Sequence, residues 1–372
     1  MDLPEKGVRM KHLNRLTHLV ALTVIFVAGC VSQQPQERKE ATFTLLHQSN
    51  RYGTVTPCGC HANPNGGLDR EANAVRMIRQ EGQPVFYVDA GNTFVPRSRK
   101  LAPEFYADRA SAVVDMLNVT GVDVLAPGPT DYELGTQKLI EIAARAKFPF
   151  LSTNIHDKDG KTLFQRYVIV EKNGLKIAFV SLTPKEKVSD PRLKVEDPIA
   201  SVEALMSELS AKSDLIVGLS HLESAADEAL AKNTGINIIV GSDPSVSVHR
   251  AFWANQGKTL VVDTSDQGQK LGRLDLNLVV PFEGFYSEAA IQENRQVLSQ
   301  LESEVALKPG NSAVNESLNN FKKTSLLTPL KGGSKYEHGL VELDETRFGK
   351  KNQVSTLIIS EANRLKKKAV SE

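Results

Sequence analysis

The sequence predicts an α/β fold of mostly parallel sheets covered by helices, and three observations carry that prediction. From residue 41 onward, short apolar runs alternate with segments of helical periodicity. The runs are near-continuously apolar, as strands covered on both faces require. Lys172-Asn173-Gly174 separates two such runs and reads as a hairpin turn, which makes the sheets mixed. In order, 41–46 is a strand followed by a loop to about Gly67, and from 68 to 80 Leu68, Ala72, Val75, Met77 and Ile78 fall at helical spacing. Strand 85–88, helix 103–117, strand 122–125, helix 137–146 and the short run 150–151 come next. The hairpin 167–170/177–180 precedes helix 202–211, strand 215–218, helix 224–232 and strand 236–240, and a β-rich stretch, 248–281, closes this body. Beyond 283 the pattern is mainly helical: a polar helix 288–307 with the stripe Val297, Leu298, Leu301 and Val305, helices 315–322 and 353–368, and one strand, 337–343. The domain boundaries read as 1–29, 30–40, 41–282 and 283–372.

Composition excludes several classes. Of 372 residues, 41% are hydrophobic and 24% charged, a globular mix rather than a disordered or fibrous one. Three cysteines are too few for a disulfide scaffold. A net charge of +1 leaves no electrostatic footprint for nucleic acid.

The first 29 residues read as an address. Lys6, Arg9, Lys11 and Arg15 form a basic leader before an apolar run from Leu19 to Gly29. That run is shorter than the roughly 20 residues a spanning helix needs and suits a signal-peptide core. It ends in Val27-Ala28-Gly29-Cys30, which resembles the bacterial lipobox. Cys30 is then the lipidation site, and residues 32–40 a polar tether. This predicts a lipid-anchored protein of a bacterial envelope. Val31 after the cysteine favours the outer membrane, facing periplasm or cell surface. The lipid bilayer is the expected partner, with an envelope protein as a second.

Ligand sites in such sheets lie beyond the carboxyl ends of the strands, which here means loops 47–67, 89–97, 126–135, 220–223 and 241–247. Leu46-His47-Gln48-Ser49-Asn50-Arg51-Tyr52-Gly53, Gly66-Gly67-Leu68-Asp69-Arg70, Asp89-Ala90-Gly91-Asn92, Gly128-Pro129-Thr130-Asp131, Ser220-His221, Gly241-Ser242-Asp243 and Gly272-Arg273-Leu274 follow one another in a fixed order. Together they resemble the calcineurin-like metallophosphoesterases, in particular the catalytic domain of the bacterial 5′-nucleotidases. The resemblance implies a four-layer sandwich of two mixed sheets flanked by helices, here with a small, mainly helical C-terminal extension. It also implies phosphoester hydrolysis by two divalent cations, which clamp the phosphate and acidify a bound water.

Position by position, the ligand set that the resemblance implies is depleted. Asn50 replaces the first Asp and Tyr52 its partner His; Asn92 replaces the bridging Asp. Pro129 stands for the Asn ligand, Thr130 for the His that protonates the leaving group, and Asp243 and Ser245 for the later His pair, while His221 remains. Little is left to oppose the repulsion between two divalent ions, so the expectation is at most a single divalent metal, with no haem and no nucleotide cofactor. Asp89 is expected to bond backbone at its strand end, His47 to be a buried hydrogen-bonded imidazole, and His156 and His249 to face solvent.

One loop departs from this depletion. Thr56-Pro57-Cys58-Gly59-Cys60-His61 places two thiols and an imidazole before the first helix. It resembles a branch of the same superfamily that carries a Cys-Gly-Cys pair before Gly-Gly-Leu. Three readings stay open: a strained, redox-active disulfide; a soft-metal site of Cys58, Cys60 and His61 completed by His221 or Asp243; or residues without joint chemistry. At the level of function, the leading expectation is a lipoprotein that has lost dinuclear hydrolysis and reuses its cleft for binding or for thiol or metal chemistry. A divergent metal-dependent phosphoesterase and a structural partner-binding lipoprotein are the alternatives.

Overall fold

The computed structural model describes residues 38–57, 64–97, 103–242, 251–264 and 266–371. Strand β1 (Lys39–Gln48) leads to α1 (Leu68–Arg79), β2 (Val85–Asp89), α2 (Pro103–Thr120), β3 (Val124–Leu125) and α3 (Thr136–Ala143). Next come β4 (Ile155–Asp157), the hairpin β5 (Tyr167–Lys172) and β6 (Leu175–Leu182), and β7 (Leu193–Val195). After α4 (Pro198–Lys212) the chain runs through β8 (Leu215–Ser220), α5 (Ser224–Asn233), β9 (Ile238–Gly241), β10 (Phe252–Ala254), β11 (Thr259–Val262) and β12 (Lys270–Val280). It finishes with β13 (Phe285–Tyr286), α6 (Glu288–Leu307), α7 (Ser312–Thr324), β14 (Ser334–Glu342), α8 (Glu345–Phe348) and α9 (Gln353–Ser371).

Among the described residues two six-stranded sheets form, ordered β13-β14-β12-β1-β2-β3 and β10-β11-β9-β8-β6-β5. Both are mixed: β1, β2 and β3 are parallel while β12 runs antiparallel to β1, and β6, β8, β9 and β11 are parallel while β5 and β10 run antiparallel. Strand pleating then sorts side chains into layers. Phe43 and Leu45 of β1 meet Val217 and Leu219 of β8 between the sheets, whereas Leu46 joins Val75, Val113 and Leu117 beneath α1 and α2. Ala178, Val180 and Ile239 pack under α4 and α5 with Val202, Leu205 and Leu230. Helix, sheet, sheet and helix make the expected four-layer sandwich.

Two helices begin earlier than their apolar periodicity indicates, and caps explain both. Asp197 accepts from the Ala200 amide with Pro198 in the first turn, so α4 starts at 198 rather than 202. Asn311 accepts from the Ala313 and Val314 amides and starts α7 at 312 rather than 315. The C-terminal stretch is mainly helical, as predicted, but it is woven into the body. β14 lies inside the first sheet, antiparallel to β12 from Lys270↔Glu342 to Asn277↔Lys335, so residues on both sides of position 283 share one sheet. α9 covers α1: Ser355 Oγ donates to Asp69 Oδ2 (2.9 Å), and Asn73 Nδ2 donates to the Phe348 carbonyl before it (2.8 Å). No helix among the described residues is long and apolar enough to cross a membrane.

Candidate functional site

The carboxyl ends of β1, β2, β3, β8 and β9 bring their loops together, and backbone bonds join them. The Asn50 amide donates to the Gly91 carbonyl and the Tyr52 amide to that of Asn92, each at 2.8 Å. Asn50, Tyr52 and Asn92 all lie in the left-handed region, with φ of 53, 51 and 53°, which Asn tolerates and Tyr seldom adopts. Gly91, at φ 87°, allows the third loop in: a Cβ there would stand 2.2 Å from the Ala126 carbonyl and 2.4 Å from the Gly128 amide.

The side chains close a hydrogen-bonded set. Asn92 Nδ2 donates to Asn50 Oδ1 (2.9 Å), which also accepts from the Tyr52 hydroxyl (3.1 Å). Asn92 Oδ1 in turn accepts from the amide and the hydroxyl of Thr130 (3.1 and 3.0 Å). Asn50 Nδ2 donates to the Ser242 carbonyl (3.0 Å), and Ser242 Oγ lies 2.6 Å from His221 Nδ1. Arg97 stacks its guanidinium over the Tyr52 ring at 4.3 Å. The structure therefore brings Asn50, Tyr52, Asn92, Thr130 and His221 together, with Pro129 on the same loop as Thr130.

These residues do not fit a pair of divalent cations. Both carboxamide oxygens point at N–H and O–H donors, Pro129 offers no side-chain donor atom, and among the described residues no carboxylate stands where two ions would need a bridging anion. Among the described residues no group of three or more His, Cys, Asp or Glu is placed to hold a metal. Cys58, Cys60, His61, Asp243, Ser245 and His249, and the lipidation site Cys30, lie outside the described residues.

His221 is 4% exposed, and burial pushes its imidazole down to about 4. The unfolded chain therefore takes up a proton between about pH 6.5 and 4 that the folded chain refuses. This group's stability is complete above 6.5 and lost as pH falls through 4, by about 3 kcal/mol. Urea midpoints of His221→Asn should fall less steeply with acid over that window than those of the wild type.

Beneath the cleft lies a buried charge cluster that periodicity and motif order did not reveal. Arg51, 1% exposed, forks onto Glu71 (Nη1 to Oε2 2.9 Å, Nη2 to Oε1 3.0 Å), with Asp89 Oδ2 3.8 Å from Nη2. The signal was available: Glu71 falls on the apolar stripe of α1, where a charge calls for a partner. Asp89 bonds at its strand end as expected, accepting from the Gly91 amide (2.9 Å) and the Thr93 hydroxyl (2.7 Å). Asp131 accepts from the amides of Thr93, Phe94 and Gly128, yet burial pushes its carboxyl up to about 7. His47 is buried, its Nε2 3.2 Å from that of His338 on β14. His156 corrects the expectation of a solvent-facing ring: β4 pairs with β7 and covers it, and its Nε2 meets Glu196 at 3.3 Å.

No protein-family profile matches the chain. A 5′-nucleotidase of Vibrio vulnificus is 28% identical over 309 residues, covering 70% of this chain and 53% of the relative, so the chain spans about half that relative's length. The crystal structure of a 5′-nucleotidase precursor from Thermus thermophilus superposes with a TM-score of 0.62 at 20% identity, over 87% of this chain and 59% of that one. The calcineurin-like phosphoesterase YfkN from Bacillus subtilis gives 0.59 at 17% identity, over 88% and 98%. With two mixed sheets, flanking helices and the loops in their collinear order, the chain has the fold of the calcineurin-like phosphoesterases and is similar in sequence to proteins named 5′-nucleotidase.

Proposed function

We propose that this chain is a lipid-anchored envelope protein whose metallophosphoesterase cleft no longer performs dinuclear phosphoester hydrolysis and serves binding instead. The alternative use of that cleft is thiol or single-metal chemistry at Cys58, Cys60 and His61. The observation that carries this reading is Asn92: where a bridging anion is needed, a neutral carboxamide holds Asn50 and Thr130 by hydrogen bonds. Lipid anchoring rests on Cys30 and the leader before it. Similarity to proteins named 5′-nucleotidase favours a second reading, a divergent hydrolase using one metal through His221.

Metal analysis and nucleotidase and phosphodiesterase assays in Mn²⁺, on a Cys30→Ala chain purified from the soluble fraction, separate the two. The expected result is fewer than two equivalents of metal and turnover well below about 1 s⁻¹, the lower end of ordinary enzyme rates. Turnover in the ordinary range would overturn the proposal, in favour of the one-metal hydrolase if it comes with a single equivalent of metal and of an intact dinuclear centre if it comes with two. A redox titration unchanged by Cys58→Ser/Cys60→Ser removes the thiol alternative.

A further inference from the structure

The strand that delivers Asn50 to the cleft also fixes where the chain leaves the body. β1 enters the first sheet at Lys39 and reaches the cleft at its other end, ten residues on, a span of about 30 Å. At the Lys39 end the chain is pinned to the amino ends of neighbouring strands. Lys39 Nζ donates to the Gly174 carbonyl in the β5–β6 turn (2.8 Å) and pairs with Asp214, just before β8 (3.3 Å). Arg38 lies 3.9 Å from Glu283, near the root of α6. Lys172 joins Asp123, just before β3, at 2.7 Å.

We propose that this amino-end face is apposed to the bilayer and that the cleft opens away from it, so that the cleft's ligand is water-soluble rather than a lipid of the anchoring leaflet. The inference rests on the reading of Cys30 as acylated. The links from Cys30 to Arg38 reach at most about 28 Å fully extended and about 16 Å as a polar coil. Turning the cleft onto the membrane would require the tether to run the depth of the body, about 30 Å even in a straight line. The tether is too short for that. Arg38, Lys39 and Lys172 on this face are paired with Glu283, Asp214 and Asp123, so the acyl chains are the main hold on the bilayer.

The test uses the full chain, matured in a bacterium that processes lipoproteins, in a Cys58→Ser/Cys60→Ser background. A nitroxide is attached through Lys176→Cys, at the amino end of β6, or through Lys185→Cys, beyond its carboxyl end; both residues are exposed. The protein is reconstituted into phosphatidylethanolamine/phosphatidylglycerol vesicles that contain a nickel-chelating lipid. Nickel should relax the label at 176 several-fold more strongly than the label at 185. Equal or reversed relaxation in chains that float with the vesicles overturns the orientation alone. Chains that fail to float, like a Cys30→Ala control, overturn the acylation and the orientation with it.

Discussion

Substituting Arg51 with methionine is expected to lower the unfolding free energy by about 3–5 kcal/mol, read as a drop in the urea midpoint at unchanged slope. The guanidinium is the buried cation facing Glu71 and Asp89, both fully buried. Gln48 Nε2 and the Tyr87 hydroxyl also donate to Glu71, so methionine would fill the volume and leave the carboxylates short of the charge that balances them. Burial already raises the carboxyl of Asp89, and the Coulomb pull of Arg51 is the largest influence holding it down. Arg51→Lys would also be costly, because an ammonium cannot reproduce the fork onto both Glu71 oxygens. Adding Glu71→Gln to Arg51→Met removes one stranded charge, and the double variant should be more stable than the sum of the single losses, by about 1–3 kcal/mol. An Arg51→Met chain within about 0.5 kcal/mol of the wild type, the usual range for inconsequential surface changes, would show that the cluster does not support the loop between Asn50 and Tyr52.

Much of the fold was legible because the strands are short, apolar and separated by periodic helices. The helix at 288–307 has the bounds its pattern gives, since Ser287 caps it and the stripe persists to its end. What was not legible depends on partners distant in sequence. Nothing local in Ser334–Glu342 says that it pairs with Lys270–Val280, and nothing around His156 says that Leu193–Val195 will cover it. The cleft divides the same way. The neutral residues at 50, 92, 129 and 130 could be read from the order of the motifs. That Asn92 would bond both Asn50 and Thr130 could not, because it requires three loops to close to hydrogen-bond distance. Sequence thus disclosed which charges are missing, and the structure supplies what occupies their lone pairs.

That exchange of charge for hydrogen bonds gives the other large effect. Asn50→Asp/Asn92→Asp places two carboxylates where one amide now donates to the other at 2.9 Å. Two unit charges about 4 Å apart at an effective dielectric of 20 repel by about 4 kcal/mol, so the double variant should be destabilised by roughly that amount at pH 8. Repulsion and burial both raise the folded-state carboxyl pKa. The deficit is therefore absent below the unfolded value of about 3.9 and grows as pH rises through the folded one. Manganese, which favours carboxylate oxygen over thiolate, should raise the double variant's urea midpoint at pH 8 and leave the wild type unmoved. Each single substitution keeps one neutral partner and should cost less than half as much. A double variant as stable as the wild type at pH 8 without metal would mean that residues 50 and 92 do not face each other. Equal stabilisation of both chains by manganese would mean that the amide-lined cleft tolerates the cations its chemistry is argued to exclude.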